Sequence, residues 1–230
     1  MNKLKIFIAC DTPSPKKLDQ IISQSQTNKL QISYKIGLEF FLSPKGRNFI
    51  SKLNKEEIFL DLKLNDIPNT CVAAIHALKD LKKISYLTVH TNGGLDMLKA
   101  VKKASKKVNK KLKILGVTIL TSFSNSSIKK IGHTKSIKEL VKKQAVLAKL
   151  AKLDGVVCSG YEAKYLKKIC KNMEIITPGI RLVGDNKEDQ KRVMTPKQAF
   201  KNGATSIVIG RSITKGNIKN NIKNLKNALY

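Results

Sequence analysis

The segment IFLDLKLNDIPNT, residues 58–70, is the part of the chain from which the fold can be worked out. Its apolar first half predicts a buried β-strand over residues 58–64. Side chains alternate between the two faces of a strand, so Asp61 and Lys63 share one face and the leucines share the other. The predicted strand therefore has an apolar face and a face that places an acid beside a base.

The turn after this strand predicts the start of a helix. Pro68 has no N–H group to donate, so it ends the strand. Asn69 or Thr70 is then a suitable cap for the helix that the sequence CVAAIHALKDL, residues 71–81, predicts. A strand that leads directly into a helix is the repeating unit of α/β folds.

The charges near the end of the strand allow two interpretations. Asp66 follows Asp61 and Lys63 at the point where the strand should end. Charges on the inner face of a buried strand are costly unless they are paired. One interpretation is a structural salt bridge at the strand end. The other is an active-site array of charges at the C-terminal end of a barrel strand.

Strand-like and helix-like segments alternate along the whole chain. Eight such units in 230 residues predict an α/β fold, a (β/α)8 TIM barrel that forms a single domain over residues 1–230. A doubly wound open sheet is the alternative, but the first turn, CDTPSPKK, lacks the glycine-rich dinucleotide fingerprint. The predicted strands cover residues 4–10, 31–37, 58–64, 86–90, 113–120, 155–158, 174–177 and 206–209.

The formal net charge of +29 raises the question of a nucleic-acid partner. Only four of the 45 Lys and Arg residues are Arg, whereas proteins that bind phosphates and bases usually rely on the forked donors of Arg. The lysines are spread over nearly every predicted helix, with few aromatic residues between them. We therefore favour a solvated, lysine-rich surface over a specific nucleic-acid-binding function.

The four cysteines are predicted to be free thiols. Cys10, Cys71, Cys158 and Cys170 form no CxxC pair and have no histidine at zinc-ligand spacing. Free thiols are typical of a reducing cytoplasm, which we predict as the location. No apolar run approaches the length of a membrane span, and the first one is too short for a signal peptide.

Polar residues follow the predicted strands at their C-terminal ends, where barrel enzymes place their functional groups. Gly210 and Arg211 follow strand eight, and a glycine with a forked cation suits a phosphate group. Arg181 and Gln190 belong to a long segment after strand seven, which is either a lid or a basic surface loop. The polar residues expected at this rim are Asp11, Lys35, Asp61, Lys63, Asp66, His90, Thr121, Arg181 and Arg211.

As a set, these motifs resemble those of the orotidine 5′-phosphate decarboxylase family in its bacterial form. The segment FLDLKLNDIPNT carries the pattern Asp-x-Lys-x-x-Asp-Ile-Pro-Asn-Thr that is similar to the family signature. The resemblance extends over the whole chain. The further motifs that carry it are YKIGLEFF (34–41), TVHTNGG (88–94), VTILTS (117–122), TPGIR (177–181), DQKRVMTP (189–196) and IVIGRSIT (207–214).

The resemblance implies an enzyme that converts orotidine monophosphate to uridine monophosphate and carbon dioxide, the last step of UMP synthesis. It implies that neither a metal nor an organic cofactor is used. By the same resemblance Lys63 protonates C6 of the pyrimidine as the carboxylate leaves. Lys35, Asp61, Lys63 and Asp66 form the alternating charge network of the family.

The resemblance also assigns substrate contacts. Asp11 and Lys35 bind the ribose hydroxyls, Thr121 binds the pyrimidine edge, and Gln190 bridges base and phosphate. The remaining substrate-binding residues on this side are Pro178, Arg181, Gly210 and Arg211, of which the last two hold the phosphate.

A homodimer with shared active sites is a further implication of the resemblance. Asp66, Ile67 and Thr70 of one subunit reach the site of the other. Neither a specific nucleic acid nor a membrane is an implied partner.

The nearest rival lies on the same scaffold. Magnesium-dependent sugar-phosphate decarboxylases and hexulose-phosphate synthases also resemble this chain in their Asp-x-Lys-x-x-Asp motif, and they carry a Glu on strand two that helps to hold the metal. This chain has Lys35 there, a cation where a metal ligand is needed. The continuation Ile67-Pro68-Asn69-Thr70 also favours the orotidine enzyme.

Overall fold

Eight parallel strands close into a barrel in which each strand pairs with its neighbour along the chain and the last pairs with the first. The computed structural model describes residues 3–53, 57–185 and 192–230. The predicted (β/α)8 barrel is confirmed, and the open doubly wound sheet is not the fold. The strands are β1 Lys5–Ala9, β2 Gln31–Gly37, β3 Ile58–Leu64, β4 Ile84–His90, β5 Lys113–Val117, β6 Gly155–Val157, β7 Glu174–Ile180 and β8 Ser206–Ile209.

Helices follow the strands and cover the outside of the barrel. Among the described residues, no helix combines the length and the apolar character that a membrane span requires. A 3-10 turn at Thr91–Gly93 precedes the helix that follows β4. The helices are α1 Pro15–Gln24, α2 Leu38–Phe41, α3 Gly46–Lys52, α4 Pro68–His76, α5 Gly94–Val108, α6 Asn125–Lys130, α7 Ile137–Leu150, α8 Gly160–Ile169, α9 Pro196–Lys201, α10 Arg211–Thr214 and α11 Ile218–Leu229.

The start of α4 corrects one expectation from the sequence. Pro68 occupies the first turn and Ile67 is the N-cap, so neither Asn69 nor Thr70 caps the helix. Proline suits the first helical position because the N–H group that it lacks has no partner within the helix there. The helix also ends at His76, short of the predicted residue 81.

Strands β5 and β7 differ most from their predicted lengths, each by three residues at its C-terminal end. β7 continues to Ile180, with a register shift against β8 after Thr177 and a left-handed Gly179 at φ 75°. β5 stops at Val117, and beyond it both the amide and the hydroxyl of Thr118 donate to the carbonyl of Val157. Both changes lie at the C-terminal end of the barrel and so shape its mouth.

The barrel interior is filled by a layer of apolar and aromatic side chains. Phe7, Phe59 and Tyr86 are at most 1% exposed, and their rings pack with centroids 5.1–5.9 Å apart. This interior layer is completed by Ala9, Leu115, Ile176 and Val208. A larger apolar cluster lies outside it, between the strands and the helices.

A polar network closes the N-terminal end of the barrel below the interior layer. The hydroxyl of Tyr86 accepts hydrogen bonds from Lys5 Nζ at 2.7 Å and Lys113 Nζ at 3.3 Å, and it donates to the Glu174 carboxylate at 3.2 Å. Lys5 also pairs with Glu57 at 2.8 Å. Burial, followed by the charge of Glu174, raises the pKa of Tyr86, so its hydroxyl stays protonated.

Candidate functional site

A cavity of about 560 Å³ opens at the C-terminal ends of the strands. Its floor is formed by Ala9, Phe59 and Val208 of the interior layer. The carboxyl ends of barrel strands are the place where barrel enzymes build their active sites. The residues from the sequence prediction that line the cavity are Asp11, Lys35, Asp61, Lys63, Thr121, Pro178, Arg181, Gly210 and Arg211.

Acids and bases alternate along one wall of the cavity. Lys35 Nζ lies 3.1 Å from Asp11 Oδ1 and 3.4 Å from Asp61 Oδ2. Lys63 Nζ lies 2.9 Å from the same Asp61 Oδ2. Asp61 therefore has an ammonium group on each side, as expected for paired charges in a buried place.

These contacts keep both buried groups ionised. Burial by itself lowers the pKa of Lys35, but Asp61 and Asp11 together raise it above the usual lysine value. Burial by itself raises the pKa of Asp61, but Lys35, Lys63 and a hydrogen bond from Thr88 bring it below the usual aspartate value. The wall is thus a row of charges fixed in place by their mutual contacts.

Lys63 has an unusual backbone conformation. Its φ angle is +50°, in the left-handed region that residues other than glycine rarely adopt. The register between β3 and β4 shifts between Leu60 and Leu64, so the strict alternation of faces predicted for β3 is interrupted here. The amide of Lys63 is held by a 2.9 Å hydrogen bond to the hydroxyl of Thr88 on β4. Such strain, about 1–3 kcal/mol, is often found at functional sites.

The opposite part of the cavity carries two guanidinium groups. Arg181 is buried and donates from Nη1 to the carbonyl of Ile180 at 3.0 Å. Arg211 follows Gly210 at the end of β8 and begins α10. With Lys35 and Lys63, the cavity lining holds four cationic side chains against two carboxylates, so it favours an anionic ligand.

The loop between β7 and α9 is anchored at both of its described ends. Met194 N donates to Gly179 O, and Arg181 N donates to Met194 O, each at 3.1 Å. Arg192 donates to the buried carboxylate of Glu162 at the start of α8. Gln190, the predicted bridge between base and phosphate, lies outside the described residues, so its position stays a prediction.

Arg192 also reaches the segment after β5. Its Nη2 donates to the carbonyls of Ile119 and Leu120, at 3.3 and 3.0 Å. These residues line the cavity next to Thr121. One arginine therefore connects the loop after β7 to the segment that carries Thr121, a link between distant parts of the chain that no local pattern predicts.

Three predicted site residues lie outside the cavity of their own barrel. Asp66, Ile67 and Thr70 are exposed, and Ile67 keeps 66% of its surface accessible. The carboxylate of Asp66 accepts a hydrogen bond from the amide of Ile67 at 2.7 Å. The chain has left β3 and is entering α4 at this point, which directs these residues away from the charged wall.

His90 is at the rim but does not line the cavity. Its Nδ1 accepts a 3.4 Å hydrogen bond from the amide of Asn92 and so caps the 3-10 turn. Burial, followed by the positive charge of Lys63, lowers the pKa of His90, so the neutral ring is favoured.

Sequence reasoning missed Thr88, which contacts both Asp61 and Lys63. Its hydroxyl donates to Asp61 Oδ1 at 2.9 Å. The available signal was a hydroxyl residue in the otherwise apolar part of YLTVH, in phase with Tyr86 and His90.

The arrangement suits a charged organic ligand better than a divalent metal. In the described part of the chain, no three His, Cys, Asp or Glu side chains converge as a metal site. Both carboxylates in the charged wall are already in contact with ammonium groups. A cation there would compete with Lys35 and Lys63.

Comparisons with known proteins agree with the sequence resemblance. Residues 4–223 match the model of the "Orotidine 5'-phosphate decarboxylase / HUMPS family". The chain is 44% identical to the orotidine 5′-phosphate decarboxylase of Wolbachia sp. subsp. Brugia malayi (strain TRS), with 92% of each chain covered. It is also 44% identical to that of Prochlorococcus marinus (strain MIT 9515), with 100% of both covered.

A solved structure with the same printed name has a similar fold. The crystal structure of orotidine 5′-phosphate decarboxylase from Lactobacillus acidophilus superposes with a TM-score of 0.84 at 32% identity. The alignment covers 99% of each chain. The likeness therefore extends over the barrel as a whole.

Proposed function

This chain belongs to the orotidine 5′-phosphate decarboxylase / HUMPS family, and on that premise we propose that it converts orotidine 5′-monophosphate to uridine 5′-monophosphate and carbon dioxide. It is an enzyme of the carboxy-lyase class. The observation that carries the proposal is the row Asp11, Lys35, Asp61 and Lys63 in the cavity, with Asp61 between two ammonium groups.

The chemistry proceeds in two linked changes at C6 of the pyrimidine. The bond between C6 and the carboxylate carbon breaks, carbon dioxide leaves, and the bonding electron pair stays on C6. Lys63 stabilises this developing negative charge and then delivers a proton from Nζ to C6. The neutral amine regains a proton from water after the product leaves.

Asp61 has a second effect on the substrate. A carboxylate placed beside a carboxylate is repelled, and this repulsion is relieved when carbon dioxide departs. Asp61 is 8% exposed, so water screens its charge poorly. Lys35 holds Asp61 ionised, which keeps the repulsion and the orientation of Lys63 in place.

Binding of the remote parts of the substrate supplies the energy for orientation. We assign the ribose hydroxyls to Asp11 and Lys35 and the pyrimidine edge to Thr121. We assign the phosphate to Arg211, with Gly210 leaving room beside it. Pro178, Arg181 and Gln190 complete the proposed binding set.

We also propose a two-fold dimer in which Asp66, Ile67 and Thr70 contribute to the site of the partner subunit. What supports this is the exposure of all three beside the mouth of the barrel rather than inside it. A two-fold axis presents the same patch from each subunit. We place the dimer in the cytoplasm, since all four cysteines are free and buried.

A metal-independent reaction is the first test. Loss of orotidine monophosphate is followed by absorbance, with and without a chelator. We expect equal rates, because Lys63 supplies the positive charge that a metal would otherwise provide. Loss of activity with the chelator, restored by magnesium, would favour the sugar-phosphate decarboxylase or hexulose-phosphate synthase reading instead.

Replacing Arg211 tests the phosphate assignment. Arg211→Ala should lower kcat/KM for orotidine monophosphate but leave kcat/KM for the nucleoside orotidine nearly unchanged. A hydrogen bond to a charged group is worth about 1.5–3 kcal/mol, or roughly ten- to hundredfold in kcat/KM. The measurement compares kcat/KM for the two substrates in each protein.

Arg47→Ala is the matched control for Arg211. Arg47 lies on α3, pairs with Asp80 on the outside of the barrel and does not line the cavity. Arg47→Ala removes the same charge and should leave kcat/KM for both substrates unchanged. If Arg211→Ala lowers kcat/KM equally for the nucleotide and the nucleoside, Arg211 does not bind the phosphate.

A further inference from the structure

We propose that Thr88 is a positioning residue that sets the orientation of both Asp61 and Lys63. Its single hydroxyl accepts from the amide of Lys63 and donates to Asp61 Oδ1, each at 2.9 Å. The inference rests on the proposed function of these two groups, and Thr88 itself is fully buried and does not line the cavity.

Both carboxylate oxygens of Asp61 have partners. Thr88 occupies Oδ1, so Oδ2 is left to face Lys35 at 3.4 Å and Lys63 at 2.9 Å. Without the hydroxyl, the carboxylate could rotate and exchange its oxygens between partners. The bond from Thr88 therefore decides which oxygen meets the two ammonium groups.

The same hydroxyl holds the strained backbone of Lys63. The left-handed conformation of this lysine carries its side chain back toward Asp61 although the register with β4 has shifted. The hydrogen bond from the Lys63 amide to Thr88 fixes that conformation to the next strand. Accepting from the Lys63 amide and donating to the Asp61 carboxylate requires a donor and an acceptor on the same atom. A hydroxyl oxygen is both.

Other buried threonines nearby have a different role. Thr91 is 1% exposed, and its hydroxyl donates to the backbone carbonyl of Val117 at 2.7 Å, which connects the turn after β4 to the end of β5. Thr88 is 0% exposed and makes its contacts to the two charged residues of the cavity wall. Thr91 is thus a matched control with the same side chain, the same burial and no contact with the wall.

The experiment compares Thr88→Val, Thr88→Ser and Thr91→Val in the full-length enzyme. Valine keeps the shape of threonine without the hydroxyl, whereas serine keeps the hydroxyl. The readouts are kcat and KM for orotidine monophosphate, affinity for uridine monophosphate, melting temperature and the pH dependence of kcat.

We expect Thr88→Val to lower kcat by roughly ten- to hundredfold, the range for a hydrogen bond to a charged group, with KM and product affinity within about threefold. Thr88→Ser should recover most of the lost kcat. Thr91→Val should keep the wild-type kcat even where its melting temperature falls. The acid limb of kcat in Thr88→Val should move to higher pH, because Asp61 loses a bond that lowers its pKa.

Several outcomes would overturn the proposal. These are an unchanged kcat in Thr88→Val, an equal loss in the serine variant, or an equal loss in Thr91→Val. If Thr88→Val does not fold, Thr88→Ala takes its place, and failure of both to fold assigns Thr88 a purely structural role. An inactive wild-type enzyme would instead refute the proposed function, so the two failures are distinguishable.

Discussion

Lys63→Ala should lose nearly all turnover of orotidine monophosphate while still binding uridine monophosphate. The lysine is the proposed proton donor and also the cation that we propose stabilises the developing charge. General acid catalysis is typically worth about 10²–10⁴-fold, and electrostatic stabilisation adds to it. The measurement is kcat by absorbance, together with product affinity by calorimetry. A loss of less than about tenfold would remove Lys63 from the mechanism.

Lys152→Ala controls for the backbone of Lys63. Among the described residues, Lys63 and Lys152 are the two residues other than glycine that have a positive φ angle, at +50° and +55°. Lys152 is exposed in the turn between α7 and β6 and does not line the cavity. Its replacement removes the same side chain from the same backbone conformation, so it should leave kcat unchanged.

Mixing two inactive variants should restore activity if Asp66 acts on the partner subunit. Lys63→Ala and Asp66→Asn are unfolded and refolded together. Each mixed dimer then has one site with both defects and one with neither. With random pairing about half of the dimers are mixed, so roughly a quarter of wild-type activity should return.

The control is a mixture in which both defects belong to one cavity. Asp61 and Lys63 are 2.9 Å apart in the same subunit, so a mixture of Asp61→Asn with Lys63→Ala leaves one defect in every site. No activity should return there. If the Asp66 mixture also stays inactive although mixed dimers are present, both the shared site and the role of Asp66 are wrong.

Much of the barrel could be predicted because its signals are local. Strands β2, β3 and β8 have the predicted bounds. Strands β3 and β8 are short, mainly apolar runs, and in β2 polar and apolar residues alternate. Asp11, Lys35, Asp61 and Lys63 stood out because charges are rare in such runs, and they do line one cavity. Their chemical roles remain predictions.

The missing parts depend on contacts between distant residues. Thr88 is 27 residues from Asp61, and Arg192 is 72 residues from Leu120. Nothing in the local sequence indicates that Lys63 has a left-handed backbone, because lysine has no preference for that conformation. The neighbouring strand supplies the hydrogen bond that holds it.

The interior layer and the polar network beneath it leave the cavity with a closed floor. Phe7, Phe59 and Tyr86 are at most 1% exposed and fill the barrel between the site and its N-terminal end. Among the described residues, the cavity is therefore closed at its lower end and open only at the mouth of the barrel. For a decarboxylation, substrate and both products would have to use this one opening. Under the proposed function, we expect carbon dioxide to leave through the same opening as the nucleotide, so it stays near the C6 carbanion until it escapes. In the proposed mechanism, proton transfer from Lys63 to C6 then removes the carbanion with which carbon dioxide could recombine.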